Sequence, residues 1–244
     1  MDASALANLD LAFSVPILRR QWDKSDALNA ELRDLVLDKA GTSPGVTISN
    51  VGGWHSEKNL QDWPEDCVQM LVGRMRSMVE EMVRRTVAEP TQRHFEDWDL
   101  WAWANVNYQG HYNKAHIHEP PYVWSGVYYV DPGDTEPLSG LIKFQDRSGV
   151  PKEVVNNPDP FEREITIKPE PGLMLLFPVT VFHHVEPYLG QRPRISIAFD
   201  FKHPAFVIPS YMSKRQSWWW SNLPIVMRTG QKIRRRLGLR PLLK

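Results

Sequence analysis

Within NKAHIHEPP, residues 113 to 121, two histidines stand one residue apart, His116 and His118. Further along, FPVTVFHHVEP holds His183 and His184, so four of the eight histidines of the chain lie in two short clusters. In a strand, residues i and i+2 project from one face at a spacing of about 6 to 7 Å. His116 and His118 therefore aim two imidazoles at one point. His183 and His184 are neighbours just beyond the apolar run LMLLFP and point to opposite sides, so at most one of them joins the first pair. Two close ligands and one distant ligand occupy one face of a metal ion and leave its other positions open. Non-haem iron(II) suits that arrangement. Plain imidazoles at strand edges are the alternative reading of the same residues.

The segment after the distal pair, HHVEPYLGQRPRISIAF, carries a second chemical signal. If RISIAF is a strand, Arg194 and Ser196 share one face, while Ile195, Ile197 and Phe199 share the other. An arginine and a serine facing into a cavity form a carboxylate site: the guanidinium offers a two-pronged fork and the hydroxyl a further donor. A buried guanidinium without an anion is costly, so an anion is expected beside Arg194. Arg192 falls on the other face or in the preceding turn. Earlier in the chain, Trp54 and His55 adjoin Gly52 and Gly53 in GGWHS, a loop able to close over a substrate. A tryptophan packed on a barrel rim is the plainer reading there.

These residues need a frame. After residue 95 the chain breaks into WDLWAWANVNYQ, YVWSGVYYV, GLIKF, EITIK, LMLLFP and RISIAFDF, short β-branched and aromatic runs punctuated by Gly, Pro, Asp and Asn. With VTISNV and LAFSVPIL they make roughly eight strands. Two helices are expected near the N-terminus. One carries Leu28, Leu32 and Leu35 at helical spacing, and the other opens at Pro64 with Cys67, Leu71, Met75, Met78 and Met82 along one stripe. Repeating βαβ units are absent, so the pattern is mainly β with flanking helices: a closed or sandwiched antiparallel sheet with helices against one side. The Met-rich stripe reads as helix packing rather than a cofactor pocket, and Cys67 as a core residue.

Composition fits a globular chain of 244 residues, 42% hydrophobic and 24% charged, with no apolar run long enough to cross a bilayer and no leader-like N-terminus. A single cysteine excludes an internal disulfide framework and suits a reducing, cytoplasmic setting. The 29 basic and 29 acidic residues balance, but from Lys214 onward there are nine Lys or Arg and no acid, which leaves the preceding body at −9. The chain thus divides into a barrel domain with its N-terminal helices, residues 1–202, and a basic, Trp-rich extension, residues 203–244. The extension, with Trp218, Trp219 and Trp220, is expected to pack within the molecule or in a homodimer. An acidic partner, either a carrier protein or nucleic acid, is the alternative.

Taken together, HIHEPPYVWSGVYYVDP, SGLIKFQD and LLFPVTVFHHVEPYLGQRPRISIAF resemble the iron(II)- and 2-oxoglutarate-dependent dioxygenases. With SNVGGWHS from Ser49, the chain is similar more narrowly to a bacterial and phage group of 2-oxoglutarate–iron oxygenases, over roughly residues 10 to 202. The resemblance implies a double-stranded β-helix, the jelly-roll or cupin-like barrel, holding Fe(II) and using 2-oxoglutarate and O2. It puts the distal ligand on His183, the cosubstrate arginine on Arg194, the accompanying serine on Ser196 and a supporting tyrosine on Tyr129. Asn105 and Asn107 share a strand face and are candidates for the other end of the cosubstrate. One departure stands out. Most of the superfamily supplies Asp or Glu as second ligand, and this chain has His118 there, with the adjacent Glu119 as competitor.

The implied activity is hydroxylation of a C–H bond of a small molecule, with release of succinate and CO2. Two alternatives accompany it: a three-histidine cupin-type dioxygenase that uses no 2-oxoglutarate, and a non-catalytic barrel that binds. His118 favours the former, and retention of every candidate ligand counts against the latter.

Overall fold

The computed structural model describes residues 15–96, 98–119, 121–134, 138–146 and 164–203. Residues 204–244 of the basic Trp-rich extension and the first part of the expected strand LAFSVPIL lie outside the described residues.

Eleven strands and two α-helices follow one another along the described chain. Strand β1 (Leu18–Gln21) leads into helix α1 (Asp26–Thr42), then two very short strands, β2 (Asn50–Val51) and β3 (Trp54–His55), and helix α2 (Asp66–Thr86). The remaining strands are β4 (Asp99–Asn107), β5 (Tyr112–His116), β6 (Tyr122–Asp131), β7 (Ile142–Gln145), β8 (Glu164–Ile167), β9 (Leu173–Pro178), β10 (Phe182–Val185) and β11 (Arg194–Lys202). They form a six-stranded sheet in the order β1-β9-β6-β11-β4-β3 and a five-stranded sheet in the order β2-β5-β10-β7-β8, with every pairing antiparallel. This is the double-stranded β-helix expected from the resemblance.

Alternation along the strands explains the layers. On β11, Ile195, Ile197, Phe199 and Phe201 are fully buried in one cluster with Leu71, Met75, Met78 and Met82 of α2 and with Leu28, Leu32 and Val36 of α1. Arg194, Ser196, Ala198 and Asp200 take the opposite face, toward the second sheet. Strand β4 repeats the pattern, with Leu100, Ala102, Ala104 and Val106 toward the helices. A second cluster, which includes Val127, Tyr129, Phe144, Leu175 and Phe177, fills the space between the sheets. The methionine stripe of α2 is thus core, each side chain contributing on the order of 1.5–3 kcal/mol through burial. Cys67 is free and buried on the same helix.

Gly126 is demanded by this packing. A Cβ at that position would collide with the ring of Phe199 and the backbone carbonyl of Leu175. Where expectation and structure differ, local hydrogen bonding is the reason. VTISNV yields only Asn50–Val51 as strand, because the Asn50 side chain turns back on its own backbone. Its Oδ1 accepts from Ile48 N–H at 2.8 Å and its Nδ2 donates to Gly52 O at 3.2 Å, competing with a longer ladder. Strand β1 likewise begins only at Leu18 among the described residues. No described helix is long and apolar enough to cross a membrane.

Candidate functional site

The antiparallel register of β5 and β10 sets His183 directly opposite His116. His118 lies two residues beyond the end of that pairing, where its backbone N–H donates to Val179 O at 2.9 Å and extends the alternation past the strand end. Ring centroids are 4.5 Å apart for His116 and His183, 5.2 Å for His116 and His118, and 5.4 Å for His118 and His183. One ligand nitrogen from each falls within 4.8 Å of the other two.

Each ring is also held by its Nδ1. That atom of His116 lies 2.6 Å from Lys114 O, and that of His183 lies 2.9 Å from Val181 O. Carbonyl oxygens only accept, so both Nδ1 atoms carry the proton and both Nε2 atoms present a lone pair. Nδ1 of His118 lies 2.6 Å from Oδ1 of Asp200, bent away from the line of an ideal hydrogen bond but at close ion-pair distance. Three imidazoles thus have Nε2 as the nitrogen left free for a metal. Burial, and then the neighbouring His116, push the His183 imidazole down to about 3, and burial lowers His116 as well. Both rings are therefore neutral near pH 7, the form that ligates.

The same cavity is lined by Tyr129, Asn105, Arg194 and Ser196. Ser196 on β11 pairs with Asn105 on β4 and with Tyr129 on β6, which brings the three side chains to one level. Arg194 is 2% exposed, and the charged and polar groups that bear on it are the hydroxyls of Tyr129 and Tyr188, with no carboxylate among the described residues. Its Nε, the Tyr129 hydroxyl and Asn105 Oδ1 all lack a hydrogen-bond partner among the described residues. Burial pushes the Tyr129 phenol up to about 12, so it stays a donor. A buried guanidinium beside unpaired polar atoms is costly unless an anion completes the set. Asn107, the register partner of Arg194, is also buried with an unpaired Oδ1, but it lies outside the cavity lining.

Other expected residues sit elsewhere. His184 takes the opposite face of β10, opposite Lys143 of β7. Glu119 is exposed and outside the three-histidine group. Arg192 is an exposed turn residue paired with Asp134 at 2.9 Å. Trp54 and His55 form an edge strand against β4 rather than an open loop, and neither lines the cavity. The indole of Trp54 donates to Ser43 O at 3.0 Å, while His55 is buried and stacks on Trp103.

Three residues at the site were not anticipated. Trp103 lines the cavity and stacks on His118 at 5.9 Å. Lys58 places its ammonium 4.2 Å from the centre of the Trp103 ring and 3.4 Å from Oδ2 of Asp200. Asp200 is fully buried. Trp103 and Asp200 were legible in principle, since they continue the inward faces that carry Asn105 and Ser196. Lys58 follows β3 and has no such signal.

Residues 101–200 match the family described as "Putative 2OG-Fe(II) oxygenase". Among solved structures, a Pseudomonas putida prolyl-4-hydroxylase is similar with a TM-score of 0.56 at 14% identity, covering 77% of this chain and 92% of that one. A Trichoplax adhaerens prolyl hydroxylase, solved with a hypoxia inducible factor oxygen degradation domain peptide fragment, gives 0.52 at 15%, covering 78% and 84%. HygX from Streptomyces hygroscopicus, with nickel and 2-oxoglutarate bound, gives 0.50 at 12%, covering 78% and 83%. At such identities the structural likeness is one of fold. No curated protein matches the sequence.

Proposed function

We infer, from the match of residues 101–200 to the 2OG-Fe(II) oxygenase family, that this chain is an iron(II)- and 2-oxoglutarate-dependent oxygenase acting on a C–H bond of a small molecule. The observation that carries the reading is the convergence of three imidazoles, each with a partner close to Nδ1, beside a buried arginine with no acidic partner among the described residues. His116, His118 and His183 would hold the metal through Nε2. Arg194 would take the far carboxylate of 2-oxoglutarate, with the Tyr129 hydroxyl and Ser196 as further donors and Asn105 nearby.

Iron and 2-oxoglutarate, when bound, would together activate O2 for C–H hydroxylation, one oxygen atom entering the product and the other succinate, with CO2 released. The chain's own part is positional and electrostatic. Burial keeps His116 and His183 unprotonated, so metal need not displace a proton from either ring near neutral pH. Tyr129 is held as a phenol and Arg194 is sealed from water, which strengthens every contact to an anion there. Phe177 and Phe144 pack beside His183 and keep that wall of the site apolar.

Anaerobic addition of Fe(II) and 2-oxoglutarate tests this reading: a weak visible charge-transfer band that requires both is the expected result. A band with iron that ignores 2-oxoglutarate would instead favour a three-histidine dioxygenase without a 2-oxo acid, for which His118 is the supporting residue. Succinate release across small molecules, with proline-containing peptides as a second panel, would then define the substrate. We further assign the chain to the cytoplasm on its single buried cysteine, and a homodimer contact to the 203–244 extension on its tryptophans and charge.

A further inference from the structure

Asp200 is the sixth residue after Arg194 on β11, at the far end of the same inward face, and it is the one fully buried carboxylate that reaches the three-histidine cluster among the described residues. Its Oδ1 is 2.6 Å from Nδ1 of His118, an ion-pair distance off the line of an ideal hydrogen bond, and no donor among the described residues otherwise satisfies that oxygen. Its Oδ2 is 3.4 Å from Nζ of the partly exposed Lys58. The other two histidines are held at Nδ1 by neutral carbonyls from two residues earlier in the chain, Lys114 and Val181. Of the three, His118 alone is backed by a charge.

We propose that Asp200 is a positioning residue that supplies, through His118, a negative charge to a ligand set made of three imidazoles: it holds the His118 proton on Nδ1, directs Nε2 at the metal and raises that nitrogen's donor strength. This rests on the reading of His116, His118 and His183 as the metal centre. A carboxylate accepting from the distal N–H of a ligating histidine makes the ring a stronger donor, and removing such a partner weakens metal binding by about 10- to 100-fold. Burial enhances the effect, since the charge acts where little water screens it. Lys58 fixes the second oxygen, and Trp103 walls the ring on one side, so neither carboxylate nor imidazole is free to turn away.

Co(II) titration of the full chain, followed by its visible absorption, tests the assignment without turnover. Wild type is expected to bind one ion, and Asp200→Asn to bind it about 10- to 100-fold more weakly. In a His118→Asp background no Nδ1–H remains for Asp200 to hold, so the Asp200→Asn penalty should vanish there. An equal penalty in both backgrounds, or unchanged affinity in the single variant, overturns the role of Asp200 while leaving the metal centre intact. Absence of Co(II) binding by wild type overturns the metal centre and, with it, this role. Should Asp200→Asn fail to fold, long-range ¹⁵N–¹H spectra of the wild-type Zn(II) form decide the matter. His118 protonated at Nδ1 with Nε2 on the metal is expected, and metal on Nδ1 overturns the proposal.

Discussion

His116 and His183 are register partners across the β5–β10 pair, so the backbone fixes two of the three candidate ligands against each other. His184, one residue on, faces away, opposite Lys143. His116→Ala or His183→Ala is therefore expected to abolish stoichiometric Fe(II) binding, whereas His184→Ala keeps it. Equilibrium dialysis of the three variants checks this. Loss of iron in His184→Ala with retention in His183→Ala would reverse the register.

Arg194 faces a cavity with no carboxylate partner of its own among the described residues. Arg194→Met should weaken 2-oxoglutarate binding by about 2 kcal/mol or more, roughly 30-fold, as for loss of one partner of a buried ion pair. The ligand-free protein should not lose stability, because replacing a lone buried cation by an apolar side chain removes a desolvation cost. Calorimetric titration and a melting curve read the two effects. A matching fall in melting temperature with unchanged 2-oxoglutarate affinity would make Arg194 a structural residue.

Acid should unfold the metal-free chain through its histidines. Burial holds the folded-state pKa of His183 near about 3 and lowers that of His116, against about 6.5 in an unfolded chain. The unfolded state then binds more protons as pH falls below that value. Stability is full above about pH 6.5 and declines by up to about 1.4 kcal/mol per pH unit for each histidine below it. Urea midpoints of the metal-free protein at a series of pH values measure the slope. His183→Ala should reduce it, and an unchanged slope would show that other groups set the acid limit.

Gly126→Ala should destabilise the fold by about 1–3 kcal/mol, because the added methyl meets the Phe199 ring and the Leu175 carbonyl inside a filled core. Pairing this change with Phe199→Leu should recover part of the loss, by making room where the ring stood. Thermal melts of the single and double variants provide the comparison, and additive losses would contradict it.

Truncation before Ser217 is expected to lower melting temperature or alter solution mass while Co(II) binding stays unchanged. Retention of both, with loss of turnover, would make the extension a recognition element instead.

The strand alternation that separates Arg194 and Ser196 from Ile195 and Ile197 could be read from residue types alone, and so could the helix stripe of Met75, Met78 and Met82. Pairing could not. That Ser196 stands level with both Asn105 and Tyr129, or His116 with His183, depends on register between strands distant in sequence. GGWHS admitted two readings, because glycines signal an open turn, and the plainer one fits the fold: the Trp54 indole finds Ser43 and the segment becomes an edge strand. Lys58 escaped because only the approach of its loop to Asp200 gives it meaning.

The two halves of the site stand on unequal foundations. Arg194 and Ser196 lie on β11, a nine-residue strand hydrogen-bonded on both sides within the larger sheet, whereas His116 and His183 come from strands of five and four residues. Amides of the short strands should exchange with solvent through smaller, more frequent openings than those of β11. A metal ion joining β5 to β10 would act there as a clasp, and a dianion spanning from it to Arg194 would stitch the supple sheet to the stiff one. Deuterium uptake should accordingly slow first around His116 and His183 on adding metal, and the cosubstrate should extend that quieting without much changing β11.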